Sequence, residues 1–242
     1  MRLIFGIFLF ALAGCSTVPE ENKSAADYEN QLNIAQLAEQ NQQYDAALVI
    51  YNRLNDMKQS DEVSLSLGRL YYRAGEWSLA QAHLISVEHE DEFYPEARLW
   101  LAKTYLKLSQ PGKSFALLEN SASNSEELNV KAVSLDYLQR HSDAQKIYVS
   151  LLELHPLKTD VRKNLVYSYI LSGNFRLAEE ELKVLHGHGV RDRQQEILAA
   201  VVSLLNSPDK NAVSTLEEYA SPMEVAHFIE TLEQLKQEKL ND

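Results

Sequence analysis

The sequence predicts an all-α chain of stacked helical hairpins, and three observations predict it. Small residues recur at Ala35, Gly68, Ala102, Ala132, Val166 and Ala200, at intervals of 33 or 34 residues with one of 30. Twelve residues after these stand Ala47, Ala80, Ser114, Ala144, Ala178 and Ala212, and four further on Tyr51, Leu84, Leu118, Tyr148, Leu182 and Leu216. Apolar residues around these positions fall at helical spacing, whereas Val and Ile form no alternating, strand-like runs. Only 8 Gly and 6 Pro occur in 242 residues, which suits a helical chain. A period of this length signals units that bury their apolar faces against their neighbours.

The elements follow in chain order. Arg2 supplies a positive n-region, Leu3 to Ala11 an apolar h-region, and Leu12-Ala13-Gly14-Cys15 ends it. The run is shorter than the ~20 residues that span a bilayer. The tetrapeptide, holding the chain's single cysteine, resembles a bacterial lipobox. That resemblance implies a signal peptide over residues 1–14, cleavage before Cys15, a diacylglycerol on its sulfur and an acyl chain on its amine. Ser16 stands where Asp would mark inner-membrane retention, so the resemblance implies a lipid anchor at the periplasmic face of the outer membrane. At ~0.8 kcal/mol per buried methylene, two or three chains anchor stably. Residues 15–26 are polar and read as a lipidated N-terminus and flexible tether.

Residues 27–220 carry the repeats. Leu67-Gly68-x-x-Tyr71 precedes Gly75-x-Trp77, Leu165-Val166-x-x-Tyr169 precedes Gly173-x-Phe175, and Leu101-Ala102-x-x-Tyr105 starts the same pattern. This resembles the tetratricopeptide repeat, a helix–turn–helix unit, and implies a solenoid of about five to six units. Small residues stand where two helices must approach closely, and Gly75 and Gly173 tolerate a positive φ at the turn. Pro111 replaces the aromatic in the third unit and Lys131 the first Leu in the fourth. The 30-residue interval, with the Ser/Asn-rich connection from Glu119 to Ser125, predicts a break in superhelical pitch. Ser203 and Asp209 make the sixth unit the most divergent. Ser221-Pro222-Met223-Glu224 has capping-box spacing with Pro at the first helical position, opening a capping helix over residues 221–242.

The chemistry-bearing residues are sparse. A formal charge of -12 disfavours nucleic acid, which demands a concentrated basic surface. No nucleophile elbow, zinc-binding His pair or phosphate-binding Gly-rich loop occurs, so no catalytic residue, metal or small-molecule substrate is expected, and the chain reads as non-enzymatic. His186 and His188 offer a metal two ligands without a third and read as a helix end. Glu88 to Glu92 reads as a solvated corner between repeats, and Glu179 to Glu181 as an exposed helix face.

Repeats of this kind line an inner groove with the first helix of each pair. By phase, the candidate partner-binding residues are Arg69, Tyr72, Arg73, Leu99, Lys103, Leu106, Lys107, Tyr137, Lys163 and Tyr167. Arg69/Lys103 and Arg73/Lys107 are equivalent positions in successive units and predict a basic ladder beside apolar anchors. Such a face suits an extended or helical protein segment with acidic and apolar side chains. The segment Val161-Arg162-Lys163-Asn164-Leu165-Val166-x-Ser168-Tyr169-x-Leu171-Ser172-Gly173-Asn174-Phe175-x-x-Ala178-Glu179 resembles the late repeat of TadD-type lipoproteins of the tight-adherence (Flp) pilus system. That resemblance implies a non-catalytic adaptor with secretin or other pilus and secretion components as partners, and no cofactor beyond the covalent lipid on Cys15. Type IV pilus pilotins share the layout, and an envelope scaffold docking peptidoglycan enzymes or proteases is the alternative reading.

Overall fold

The computed structural model describes residues 20–187, 189, 192–207 and 210–241. The predicted signal peptide, Cys15, the tether as far as residue 19, His188 and Asp209 lie outside the described residues. Among those described there are thirteen helices and no strand. They form six hairpins and a final helix. The hairpins are α1 (Glu20–Gln40) with α2 (Tyr44–Met57), α3 (Asp61–Ala74) with α4 (Trp77–Ile85), and α5 (Tyr94–Lys107) with α6 (Pro111–Leu118). Next come α7 (Ser125–Tyr137) with α8 (His141–Leu154), α9 (Thr159–Leu171) with α10 (Phe175–Gly187), and α11 (Arg193–Asn206) with α12 (Lys210–Glu217). The last helix is α13 (Pro222–Asn241).

The predicted periodicity is the packing periodicity. Every small position named above is buried, and so is every large residue from Tyr51 to Leu216 that follows it in register. Gly68 shows why bulk is excluded there: a Cβ added to it would lie 2.4 Å from Leu84 Cγ across the hairpin.

The turns inside the hairpins share one geometry. Gln42, Gly75, Ser109, Gln139 and Gly173 all have φ between 55 and 80°. In each turn the next N–H reaches back to a helical carbonyl: Gln43 to Ala38 (2.8 Å), Glu76 to Tyr71 (3.0 Å), Gln110 to Tyr105 (2.8 Å), Arg140 to Leu135 (2.9 Å) and Asn174 to Tyr169 (2.8 Å). These are Schellman closures, which satisfy carbonyls that a helix end leaves orphaned. The sixth hairpin departs from the rule, with Ser207 extended at φ -160°.

One expectation changes. Residues 20–26, read as flexible tether, are the first two turns of α1. The segment Glu20-Glu21-Asn22-Lys23-Ser24-Ala25-Ala26 lacks an apolar stripe, but its Glu, Lys and Ala residues favour a helix without one. The short junction between the third and fourth units, where a break in pitch is expected, is clamped by hydrogen bonds. There α6 is only eight residues long, and Asn124 caps α7 by accepting from the Glu126 and Glu127 N–H groups at 3.0 Å each. Buried Glu127 pairs with Arg98 at 2.5 Å and accepts from the Ser123 N–H at 2.8 Å, while Arg98 also donates to the Ser121 carbonyl. Burial pushes the Glu127 carboxyl up, but the bonds from Arg98 and Ser123 outweigh it and hold it below the ordinary carboxylate range.

The capping helix has its predicted box: Glu224 accepts from the Ser221 N–H (2.9 Å) and hydroxyl (2.7 Å), and its own N–H faces Ser221 Oγ. Val225 closes a cluster with Ala200, Ala212 and Leu216, and Leu232 joins one with Val202 and Leu205.

Among the described residues, α3, α5, α7, α9 and α11 touch in succession, whereas α4, α6, α8 and α10 do not touch one another. One helix row packs side by side and the other splays. The array therefore curves towards the first row, which lines its concave face.

Candidate protein-binding groove

The concave face carries two depressions. The first, of about 530 Å³, lies between α1, α3 and the start of α5 and includes Glu39, Tyr44, Tyr51, Arg69, Arg73 and Glu96 in its walls. The second, of about 1030 Å³, is framed by α5, α7 and α9 and reaches Gln194 on α11; Lys107, Asp136, Tyr137, His141, Tyr167 and Leu171 line it.

The predicted basic ladder divides in two. Arg69 donates to Glu39 of the preceding unit (2.9 Å) and to Glu96 of the following one (2.8 Å). Burial alone would lower its pKa, but those two carboxylates hold the guanidinium above its ordinary value. Lys103 pairs with Glu126 at 2.5 Å and Lys163 with Asp192 at 2.5 Å, each crossing to the next unit. The Lys163 bond, followed by that from the Gln195 N–H, holds the Asp192 carboxyl below its usual range. These cations are spent on the fold, tying successive concave helices together.

Arg73 and Lys107 are different. Among the described residues no carboxylate lies within ion-pair distance of either. Arg73 donates to the Tyr44 hydroxyl (3.2 Å), with its guanidinium 5.1 Å from the Tyr44 ring centre and 6.0 Å from that of Trp100. Aromatic faces hold such a charge in place without neutralising it. Tyr72 meets Trp100 edge-on and is half-buried.

Leu99, predicted on the groove surface, is only 9 % exposed and packs with Ala102, Leu118 and Val130. Its position three residues before a small residue turns it into the hairpin core. Leu106 is half-buried against the same cluster. Tyr137 and Tyr167, by contrast, stand 65 % and 39 % exposed on the wall of the second depression.

Sequence reasoning missed the polar floor. Asp136 accepts from Ser168 Oγ (2.7 Å) and from the Tyr148 hydroxyl (3.1 Å), and its carboxylate lies 2.9 Å from His141 Nδ1. The first unit repeats the pairing with the Tyr51 hydroxyl on Glu39 at 3.3 Å. Burial pushes the Tyr51 hydroxyl up to about 12, and burial together with the Asp136 charge raises Tyr148 far above the ordinary tyrosine. The signal was a carboxylate twelve residues before a tyrosine, present in two units only. The acidic partners Glu96, Glu126 and Asp192 were also missed, although each opens a concave helix 23 to 29 residues after the cation it pairs with.

Among the described residues no cluster of three or more His, Cys, Asp or Glu is placed to hold a metal. His186 is exposed at the end of α10. No described helix is long and apolar enough to cross a membrane.

Comparison with known proteins agrees with this geometry. A tetratricopeptide-repeat family model matches residues 65–124. No curated protein sequence matches the chain. A tetratricopeptide repeat protein from Parabacteroides merdae superposes with a TM-score of 0.67 at 14 % identity, over 87 % of this chain and 84 % of its own. TTC0263, a thermophilic repeat protein of Thermus thermophilus, gives 0.58 at 17 % identity over 73 % and 99 %. YrrB, described as a repeat protein with an unusual peptide-binding site, gives 0.54 at 19 % identity over 71 % and 95 %. In fold, the chain is a tetratricopeptide-repeat solenoid, an architecture generally used as a non-catalytic scaffold for binding other proteins.

Proposed function

We propose that this chain is a lipid-anchored, non-catalytic adaptor that holds a protein segment in its concave groove at the periplasmic face of the outer membrane. The observation that carries the reading is the set of groove side chains the fold does not use: Arg73 and Lys107 lack carboxylate partners among the described residues, and Tyr137 and Tyr167 stand exposed beside them. Arg73 meets the Tyr44 hydroxyl and two aromatic faces, and Tyr167 accepts from Gln194 at 3.4 Å, but no described carboxylate neutralises either cation and neither tyrosine is buried. The peptide-binding site named for YrrB, a structural neighbour, supports the same use of this fold. The lipobox-like Leu12-Ala13-Gly14-Cys15 supports attachment through Cys15. Fixing one end in the membrane raises the partner's effective concentration there. The resemblance of residues 161–179 to TadD-type lipoproteins suggests that the partner is a secretin or another component of a tight-adherence pilus.

The test is made in the native host. Cys15→Ser should abolish labelling by a palmitate analogue and release the protein from the membrane fraction. Arg73→Glu with Lys107→Glu should leave labelling intact but deplete secretin multimers from the outer membrane. Unlabelled wild-type protein would sink the anchor, and undiminished multimers in the groove variant would sink the pilus role.

A further inference from the structure

Resting on that adaptor reading, we infer that the groove takes an extended segment of divided chemistry: carboxylates at the α3–α5 end, and aromatic or aliphatic side chains at the α7–α9 end. The division follows from one register position read along the concave row. It holds Arg73 on α3, Lys107 on α5, Tyr137 on α7 and Leu171 on α9. The first two are cations with no carboxylate in reach among the described residues, and the last two are 65 % and 41 % exposed. The adjacent register position repeats the change, from ion-paired Arg69 and Lys103 to Tyr167.

At the apolar end the charged groups described above are already partnered, Lys163 by Asp192 among them. Asp136 is the carboxylate nearest to hand, and Ser168, Tyr148 and His141 already occupy its two oxygens. At the cationic end, Arg73 spends one Nη on the Tyr44 hydroxyl, which leaves other N–H groups to fork onto a carboxylate. The first depression also holds Glu39, Glu62 and Glu96, but Arg69 takes up Glu39 and Glu96 and Gln36 donates to Glu62, so the positive charge left for an acidic segment is that of Arg73 and Lys107. Packed helices lie 8–10 Å apart, so the three steps from α3 to α9 cover roughly 24–30 Å. At ~3.3 Å per residue, that is about seven to nine residues of extended chain.

The test uses two labelled synthetic decapeptides and fluorescence anisotropy with the purified full chain. One joins a block of Asp and Glu to a block of Leu and Phe, and the other replaces its acids with Lys. The acidic peptide should bind at least tenfold tighter, with an affinity that falls as salt rises. Arg73→Gln with Lys107→Gln should erase that tenfold at an unchanged melting temperature. Tyr137→Ala with Tyr167→Ala should weaken whatever binds. Equal or tighter binding of the lysine peptide, or an unaffected Gln pair, overturns the assignment. Selection from a displayed random dodecapeptide library separates the two levels. Binders that need Tyr137 and Tyr167 but show no acidic bias defeat the division while the docking groove stands. Absence of any groove-dependent binder defeats both. A dimer in sedimentation that the Gln pair dissociates would give the groove to a second copy and overturn the separate segment.

Discussion

At the scale of the residue, the turn positions are the most informative. Five hairpins demand a left-handed residue at the same place, yet only Gly75 and Gly173 satisfy it without cost. Gln42, Ser109 and Gln139 adopt the same φ with a Cβ, at a cost of about 1 kcal/mol each. Gln139→Gly should therefore stabilise the chain by about 0.5–1 kcal/mol, seen as a higher midpoint in urea with an unchanged slope. The two glycines were readable from sequence because a glycine announces its freedom. The other three were hidden, because a residue under strain carries no mark of it. Similarly, Leu99 and Tyr137 are both apolar residues on concave helices, and only packing distinguishes the buried one from the exposed one.

At the scale of the element, ion pairs between units decide how one concave helix sits on the next. The clamp of Arg98, Glu127 and Ser123 is the most buried of them. Because the folded Glu127 pKa is depressed, its contribution is fully present above the unfolded carboxylate value of ~4.3. It is lost as pH falls through the folded value. Glu127→Gln should cost about 1–3 kcal/mol near neutrality. Thermal melts from pH 7 to pH 3 should show the gap between wild type and variant closing below about pH 4.5. The helices themselves were legible from period, small residues and capping box. The ion pairs were less so, because each joins residues more than twenty positions apart and no local pattern selects one acid over another.

At the scale of the molecule, each unit touches only its neighbours, so the ends matter most. Val225 and Leu232 of α13 pack into the apolar clusters of α11 and α12 at the end of the array. Ending the chain at Ala220 should lower the melting temperature by several degrees and increase self-association in light scattering, and replacing Ser221 alone should do much less. The abbreviated α6 has a subtler consequence. The interval across it is 30 residues rather than 33 or 34, yet Arg73, Lys107, Tyr137 and Leu171 hold one register position on both sides of it. The connection after α6 is not helical, so the bearing of α7 is set afresh by the Asn124 cap and by the Glu127 bond back to Arg98 on α5. The solenoid thus sheds length at its middle without turning its later concave helices away from the earlier ones.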